Sequence, residues 1–244
     1  MMMILSSDRT VRDVVLELPQ ATRVFEKLQI DYCCGGDKPL GEACANAGVK
    51  VENLERMLAD AGQANVTGNG SVDFRTATLA ELIAHILDKH HTYTKEEIVR
   101  LEVLIEKVIG AHGENHPELL RLGSLFQQLC ADLRPHMFKE EQILFPYIVE
   151  MERSAIQNRP APIAPFGTVN NPIRMMMMEH DTAGELLREL RALSSNYNVP
   201  PDGCISYQTL YSALEAFEKD LHQHIHLENN ILFPRAVEIE ESLR

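Results

Sequence analysis

Two stretches of this chain carry a histidine and a glutamate four residues apart, and each runs into the same apolar tetrapeptide. The first goes from His136 through Glu140 to Ile143, Leu144, Phe145 and Pro146; the second goes from His224 through Glu228 to Ile231, Leu232, Phe233 and Pro234. Every residue of the second copy lies 88 positions after its counterpart, His224 after His136 and Pro234 after Pro146. On a helix, residues i and i+4 sit one above the other on one face. An imidazole and a carboxylate placed that way are two of the ligand types that bind non-haem iron. A single pair at this spacing usually decorates a solvated face. Two copies in matching frames read as the halves of one metal site. The Phe-Pro in each copy is the expected end or kink of its helix, because proline disfavours continuation and the residue before it avoids the helical region.

The elements that must position these side chains are long and amphipathic. One helix is expected over about 79–109, with Leu82, Ile86, Ile98, Leu101, Ile105 and Val108 at helical spacing. A second starts at Pro117 and leads through Leu122, Phe126 and Leu129 to His136, with Pro135 as an expected kink. Residues 153–172 hold Pro160, Pro162, Pro165 and Pro172 and are expected to form a long crossing loop. A third helix follows from Pro172 to Tyr197, and a fourth from Ile205 to Glu240, interrupted at Pro234. The class is all-α, with a four-helix bundle over 75–244. Such a bundle can hold two metal ions when all four helices point ligands inward. The third helix offers one histidine, His180; the first offers His85, His90 and His91. His91 lies 45 residues before His136 and His180 lies 44 before His224, and that near-match selects His91.

The resulting set is His91, His136, Glu140, His180, His224 and Glu228. Imidazole with carboxylate suits iron or manganese, whereas a structural zinc site would be expected to use cysteine. If both glutamates bridge, six side chains fill about eight of roughly 12 positions around two ions. That leaves an oxo-type bridge and an open position on each ion for a small diatomic molecule. Neighbouring polar residues are expected to stay out of the site: Glu141 solvated, His90 pointing elsewhere, His222 and His226 at the surface or behind the ligands. Met175 to Met178 are expected to pack in the core or line the approach.

Ahead of the bundle, two short helical pieces over 10–28 lead to a turn, Asp31-Tyr32-Cys33-Cys34-Gly35-Gly36, in which two glycines free the backbone and two adjacent thiols stand exposed and oxidisable. Helical stretches over 39–47 and 51–62 follow. Gly62 to Ser71 is rich in Gly, Asn and Ser, which sets the expected organisation: an N-terminal helical domain over 1–62, a linker over 63–74, and the bundle. A core this small is expected to gain stability by docking or by forming a homodimer. Cys130 and Cys204 read as buried small apolar residues.

Bulk properties remove several function classes. With 23 basic and 36 acidic residues the net charge is −13, which argues against a nucleic-acid surface and against an anionic membrane. No stretch approaches the roughly 18 apolar residues of a membrane span, and Met1 to Asp8 lack the charge and apolar pattern of a signal peptide. Five cysteines, an odd number without framework spacing, fit a reducing, cytoplasmic setting.

The Asp-Tyr-Cys-Cys-Gly-Gly box followed by two His-x-x-x-Glu-x-x-Ile-Leu-Phe-Pro boxes resembles the RIC family of iron–sulfur cluster repair proteins, over essentially the whole chain. The resemblance implies an N-terminal vicinal-cysteine domain and a hemerythrin-like domain. It also implies an oxo- or hydroxo-bridged pair of iron ions on the six side chains above. The implied role is repair of iron–sulfur proteins after nitrosative or oxidative damage, by supplying iron; the leading reading of the residues adds that Cys33 and Cys34 pass metal or electrons. Two other readings stay open: reduction of nitric oxide or a peroxide, and sensing of oxygen or redox state. Oxygen-carrying hemerythrins, a more distant likeness, have a further histidine one turn after the third-helix ligand, where this chain has Gly184.

Overall fold

The computed structural model describes residues 6–64 and 73–243. Most of the expected linker, residues 65–72, and the first five residues of the N-terminal stretch lie outside the described residues. The described residues are helical, with one isolated bridge between Thr10 and Pro39 and no strand.

The chain divides into two compact units. One joins residues 1–78 to Ile225–Pro234; the other joins Leu79–His224 to Arg235–Arg244. In the first unit, α1 (Val11–Glu17), α2 (Ala21–Leu28), α3 (Leu40–Asn46) and α4 (Val51–Ala64) enclose Val11, Val14, Phe25, Tyr32, Leu40 and Leu54. Thr10 starts α1 with a reciprocal cap: its hydroxyl accepts the Asp13 backbone N–H, and the Asp13 carboxylate accepts the Thr10 N–H.

Four long helices make up the bundle, which is the second unit except that Ile225–Pro234 of the fourth helix falls in the first. The bundle's first long helix is α5 (Leu79–His85), a π-helical turn π1 (Ile86–His91) and α6 (Thr92–His112). The second is α7 (Glu118–Lys139), π2 (Glu140–Leu144) and α8 (Phe145–Ile156); the third is α9 (Asn170–Leu193). The fourth is α10 (Ile205–Leu227), π3 (Glu228–Leu232) and α11 (Phe233–Ser242). The apolar periodicity read from sequence for the first two helices lies in the core: Ile98, Leu101, Ile105, Leu122, Phe126 and Leu129 are buried together with Leu187, Leu210 and Phe217 of the third and fourth. α6 and α7 approach closely at Gly123, where a Cβ would come within 3.1 Å of Ile109 and 3.2 Å of Ile105.

Three sequence expectations about boundaries need correction. Phe-Pro, expected to end or kink its helix, does not end it. Each helix widens into a π turn just before it and then continues as α8 or α11. Proline has no N–H to give the i−4 carbonyl and its ring crowds that carbonyl; a local shift to i→i+5 bonding accommodates this without stopping the rod. α7 runs through Pro135, with the irregularity beginning at Glu140. The loop expected from 153 begins only after Ile156, and α9 starts at Asn170.

The duplication also extends to how helices begin. The Glu152 carboxylate accepts the backbone N–H groups of Leu79 (2.6 Å) and Ala80 (3.0 Å) at the start of α5. Glu240, 88 residues after Glu152, accepts the N–H of Val169 (2.7 Å) and the Thr168 hydroxyl (2.6 Å) at the start of α9. Both carboxylates satisfy orphan donors at a positive helix end from a neighbouring helix.

Candidate metal centre

The six candidate side chains converge in the buried middle of the bundle. His91 ends π1, Glu140 and Glu228 open π2 and π3, His136 and His224 lie one turn before those glutamates, and His180 comes from α9. Every one is at most 3% exposed, and both glutamates are fully buried. Their ligand atoms form two groups, His91, Glu140, His224, Glu228 and His136, Glu140, His180, Glu228, each with its atoms within 4.8 Å of one another. Both glutamates belong to both groups. Two adjacent cations, if bound there, would both have these two carboxylates within reach.

The spacings fit ligands around an ion. The Nε2 atoms of His91 and His224 are 3.1 Å apart, as are those of His136 and His180. Glu140 Oε2 lies 3.4 Å from His91 Nε2 and 3.3 Å from His136 Nε2. Two donors bound at about 2.1 Å and at right angles around one ion would be roughly 3.0 Å apart, and about 3.4 Å at the tetrahedral angle. Two carboxylates out of reach of water are costly unless cations or hydrogen-bond donors meet them. The donor set therefore fits a pair of divalent or trivalent cations, with oxygen and imidazole ligands that suit iron or manganese.

A further layer aims the imidazoles. His91 Nδ1 is 2.7 Å from Glu141 Oε1, and Lys95 donates to the same oxygen at 2.5 Å. His136 Nδ1 is 2.8 Å from Glu179 Oε2, and Lys139 donates to the other Glu179 oxygen. A carboxylate at Nδ1 keeps the proton there and leaves the Nε2 lone pair for a metal. The hydrogen bond from His136, with Lys139 behind it, pulls the Glu179 carboxyl down to about 2. Burial works against the charge of Glu141, but Lys95 and His91 outweigh it and hold its carboxyl below the ordinary range. His90 also lies close by, with its ring stacked on that of His224 (5.6 Å, 10°) and Nδ1 3.0 Å from Asp220.

Two expectations about neighbours, for Glu141 and His90, are thereby overturned, and those for His226 and for Met175 to Met178 each lose one alternative. Glu141 is not simply solvated, because it reaches across to a histidine of another helix. His90 does not point away. His226 is 5% exposed, edge-on to the Tyr32 ring and 2.9 Å from Asn230 Nδ2, and burial holds its pKa down at about 4. Of Met175 to Met178, Met176 packs in the interior while the other three are exposed. Glu141 and Glu179 were legible only as neighbours of ligands. Glu141 follows Glu140 and Glu179 precedes His180, so each looks off the site face of its own helix. What matters is the facing helix, which sequence does not give.

The vicinal cysteines lie in the first unit. The Asp31 Oδ1 atom accepts the backbone N–H groups of Cys34 and Gly35, both at 2.9 Å, and folds the turn. Cys33 is 4% exposed and Cys34 half-buried, so the expectation of two exposed thiols holds only for the second, and partially. The hydrogen bond with Cys34, then burial, raises the Cys33 thiol well above its ordinary range. In the same unit, Asn229 donates to the Cys33 carbonyl (3.2 Å) and Asn230 to the Tyr32 carbonyl (3.0 Å). Arg12 Nε donates to Asn230 Oδ1 at 2.9 Å. Gly36 is required here, since a Cβ would sit 2.7 Å from Asn230 Oδ1. Asn229 and Asn230 follow Glu228 directly, so the thiol box and one shared carboxylate are attached to the same π turn. Cys130 is buried as expected, but Cys204 is exposed.

Two family models match separate stretches of the chain. Residues 82–236 match the hemerythrin HHE cation binding domain, and residues 7–62 match a domain of unknown function (DUF542). The chain is 34% identical over 231 residues to a probable iron-sulfur cluster repair protein of Haemophilus influenzae, covering 95% of this chain and 97% of the relative. It is 35% identical over 230 residues to the iron-sulfur cluster repair protein YtfE of Citrobacter koseri, covering 94% and 97%. The Escherichia coli K12 protein of the same name is 34% identical over the same length and shares.

Proposed function

We propose, for a chain that belongs to the hemerythrin-domain family of iron–sulfur cluster repair proteins, that it repairs iron–sulfur clusters damaged by nitrosative or oxidative stress, with iron held by His91, His136, Glu140, His180, His224 and Glu228. The observation that carries this reading is the sharing of Glu140 and Glu228 between two donor groups, which supports two neighbouring iron ions. Iron at such a centre supplies redox chemistry, binding of small diatomic molecules such as nitric oxide or oxygen, and a reservoir of metal.

The chain's own residues define how tightly that reservoir is held. Glu141 and Glu179 fix the orientation of His91 and His136, and they also tie each to a lysine at the bundle surface. His180 is followed one turn later by Gly184 rather than a further imidazole, so the set is one ligand short of the oxygen carriers that it resembles. A set with fewer ligands supports release of the ion to a client. The clients are damaged iron–sulfur proteins of the cytoplasm, and Cys33 and Cys34 are the side chains we assign to the hand-over. The domain limits that fit this division of labour are 1–62, a linker over 63–74, and 75–244. No helix of the described residues is long and apolar enough to cross a membrane.

The test is iron content followed by transfer. Purified full-length protein should hold about two iron ions per chain, and incubation with an apo cluster protein and a sulfide source should restore the client's cluster absorption. His136→Ala should lower iron content and repair together. Cys33→Ala with Cys34→Ala should keep the iron and slow the transfer. Full repair by a variant that carries no iron would overturn the reading.

A further inference from the structure

The turn that carries the vicinal cysteines brings three donor atoms together outside the bundle centre. Asp31, Cys33 and Cys34 place a carboxylate oxygen and two sulfurs within 4.8 Å of one another. The sulfurs are 3.9 Å apart, and Cys33 Sγ is 3.4 Å from Asp31 Oδ1. These lengths can be compared with a known coordination geometry. Two thiolates bound tetrahedrally at about 2.3 Å stand roughly 3.8 Å apart, and a thiolate and an oxygen at about 2.0–2.1 Å roughly 3.5–3.6 Å apart. A disulfide needs its sulfurs at about 2.05 Å, so the turn is far from that closure and close to the edges of a coordination tetrahedron. Consecutive side chains in extended backbone point to opposite sides. Here the two N–H bonds to Asp31 Oδ1 curl the chain, and glycine at 35 and 36 lets it pass without a clash.

We propose that Asp31, Cys33 and Cys34 form a second metal site, three-cornered and open on its fourth side, that takes a thiophilic divalent cation such as zinc or ferrous iron. The assignment rests on the reading that these thiols handle metal during repair, and it specifies how. The ion displaces one proton from each thiol, two protons go to solvent, and no electron moves. Two sulfurs and one oxygen select borderline and soft cations over magnesium or calcium. Three protein donors leave a position for water or for a ligand from a client, as at exchangeable rather than closed sites. Burial supports this polarity: Cys33 is sealed and Cys34 half-open, so exchange would proceed from the Cys34 side. The floor of the turn is fixed, because Asn229 and Asn230 hold the carbonyls of Cys33 and Tyr32.

The test uses the full chain with its bundle centre already loaded with iron, and zinc ion as the probe. Zinc should bind at one additional equivalent while the iron is retained, and zinc-edge X-ray absorption should report about two sulfur neighbours at about 2.3 Å. Cys33→Ser with Cys34→Ser should abolish that sulfur signal. Asp31→Asn, which keeps an oxygen acceptor for the turn, should weaken zinc at least tenfold. As a check that needs no variant, zinc should slow alkylation of Cys34 in the unaltered protein. Zinc bound only through nitrogen and oxygen, a sulfur signal that survives in the double variant, or alkylation indifferent to zinc would each overturn the site. The two readings separate cleanly. If the zinc site is present but the double variant repairs clusters at the normal rate, the site stands and the thiol step of repair falls. If repair needs the thiols but zinc finds no sulfur, the metal site falls and the thiols act by another chemistry.

Discussion

Glu140→Gln is the substitution that the geometry makes most informative. Glutamine has nearly the shape of glutamate, so the packing of this fully buried side chain is kept while one negative charge and an anionic ligand are lost. Because Glu140 belongs to both donor groups, the change weakens both ions. His180→Ala touches only the group with His136, and leaves His91, Glu140, His224 and Glu228 intact. Residues that merely orient a ligand change metal affinity by about 10- to 100-fold, and loss of a shared ligand should cost at least the upper figure at each ion. That is about 2.7 kcal/mol per ion, or about 5 kcal/mol summed over two. The assay is iron per chain after a fixed challenge with a chelator, alongside circular dichroism to verify the helices. Glu140→Gln should fall well below one iron per chain, and His180→Ala should keep close to one. If Glu140→Gln kept one full equivalent and His180→Ala none, the shared-carboxylate arrangement would be wrong.

Three further outcomes follow from particular contacts. Glu152→Ala strands the N–H groups of Leu79 and Ala80 and should lower unfolding free energy by about 1–3 kcal/mol in chemical denaturation; a loss under 0.5 kcal/mol would refute the capping role. Gly36→Ala drives a Cβ into Asn230 and should cost about 1–3 kcal/mol, while also loosening iron retention through the turn that carries Glu228; unchanged retention would uncouple the thiol box from the centre. Cys204 is exposed, and its hydrogen bond with His112 lowers its pKa to about 7. Its alkylation rate should therefore rise with pH through about 7 and level off below the range of an ordinary thiol, and His112→Ala should move that midpoint upward, as read by peptide mass spectrometry.

Much of the candidate centre, as a set of side chains that the fold brings together, was legible because duplication writes the same constraint twice. The pairs His136/Glu140 and His224/Glu228 declare themselves by frame, and His91 and His180 follow from the spacing to those pairs. The bundle core was legible for the ordinary reason that apolar residues recur at 3.6-residue spacing. What failed was local bonding and cross-helix contact. Pro146 and Pro234 looked like ends or kinks because sequence reading treats proline as disfavouring a continuing helix. It has no means of seeing that five π-helical residues before each one absorb the mismatch. Glu141, Glu179 and Asp220 were invisible as partners because their histidines sit on other helices. Cys204 was read as apolar filling from residue type alone, yet it lies at the exposed start of α10.

The halves of the duplication are not equivalent, and the difference has a structural cause. From the capped start of the first helix, Leu79, to His91 is 12 residues; from the corresponding start, Val169, to His180 is 11. A π turn takes up one extra residue within a helix, and π1 lies in the longer run while α9 is regular throughout. Both histidines can thus arrive at the centre from equivalent starts despite the mismatch. Their destinations also explain why both halves are needed. His91 joins His224 and His180 joins His136, so each donor group takes one histidine from each half, as well as both glutamates. Neither half alone contains a complete group. Metal affinity at such a centre must be coupled to the packing of the halves against each other, since ligands gathered only in the folded bundle make binding free energy part of folding free energy. Loading such a centre would stabilise the packed bundle and loosening the packing would release metal, which is the behaviour that the proposed supply of iron to clients requires.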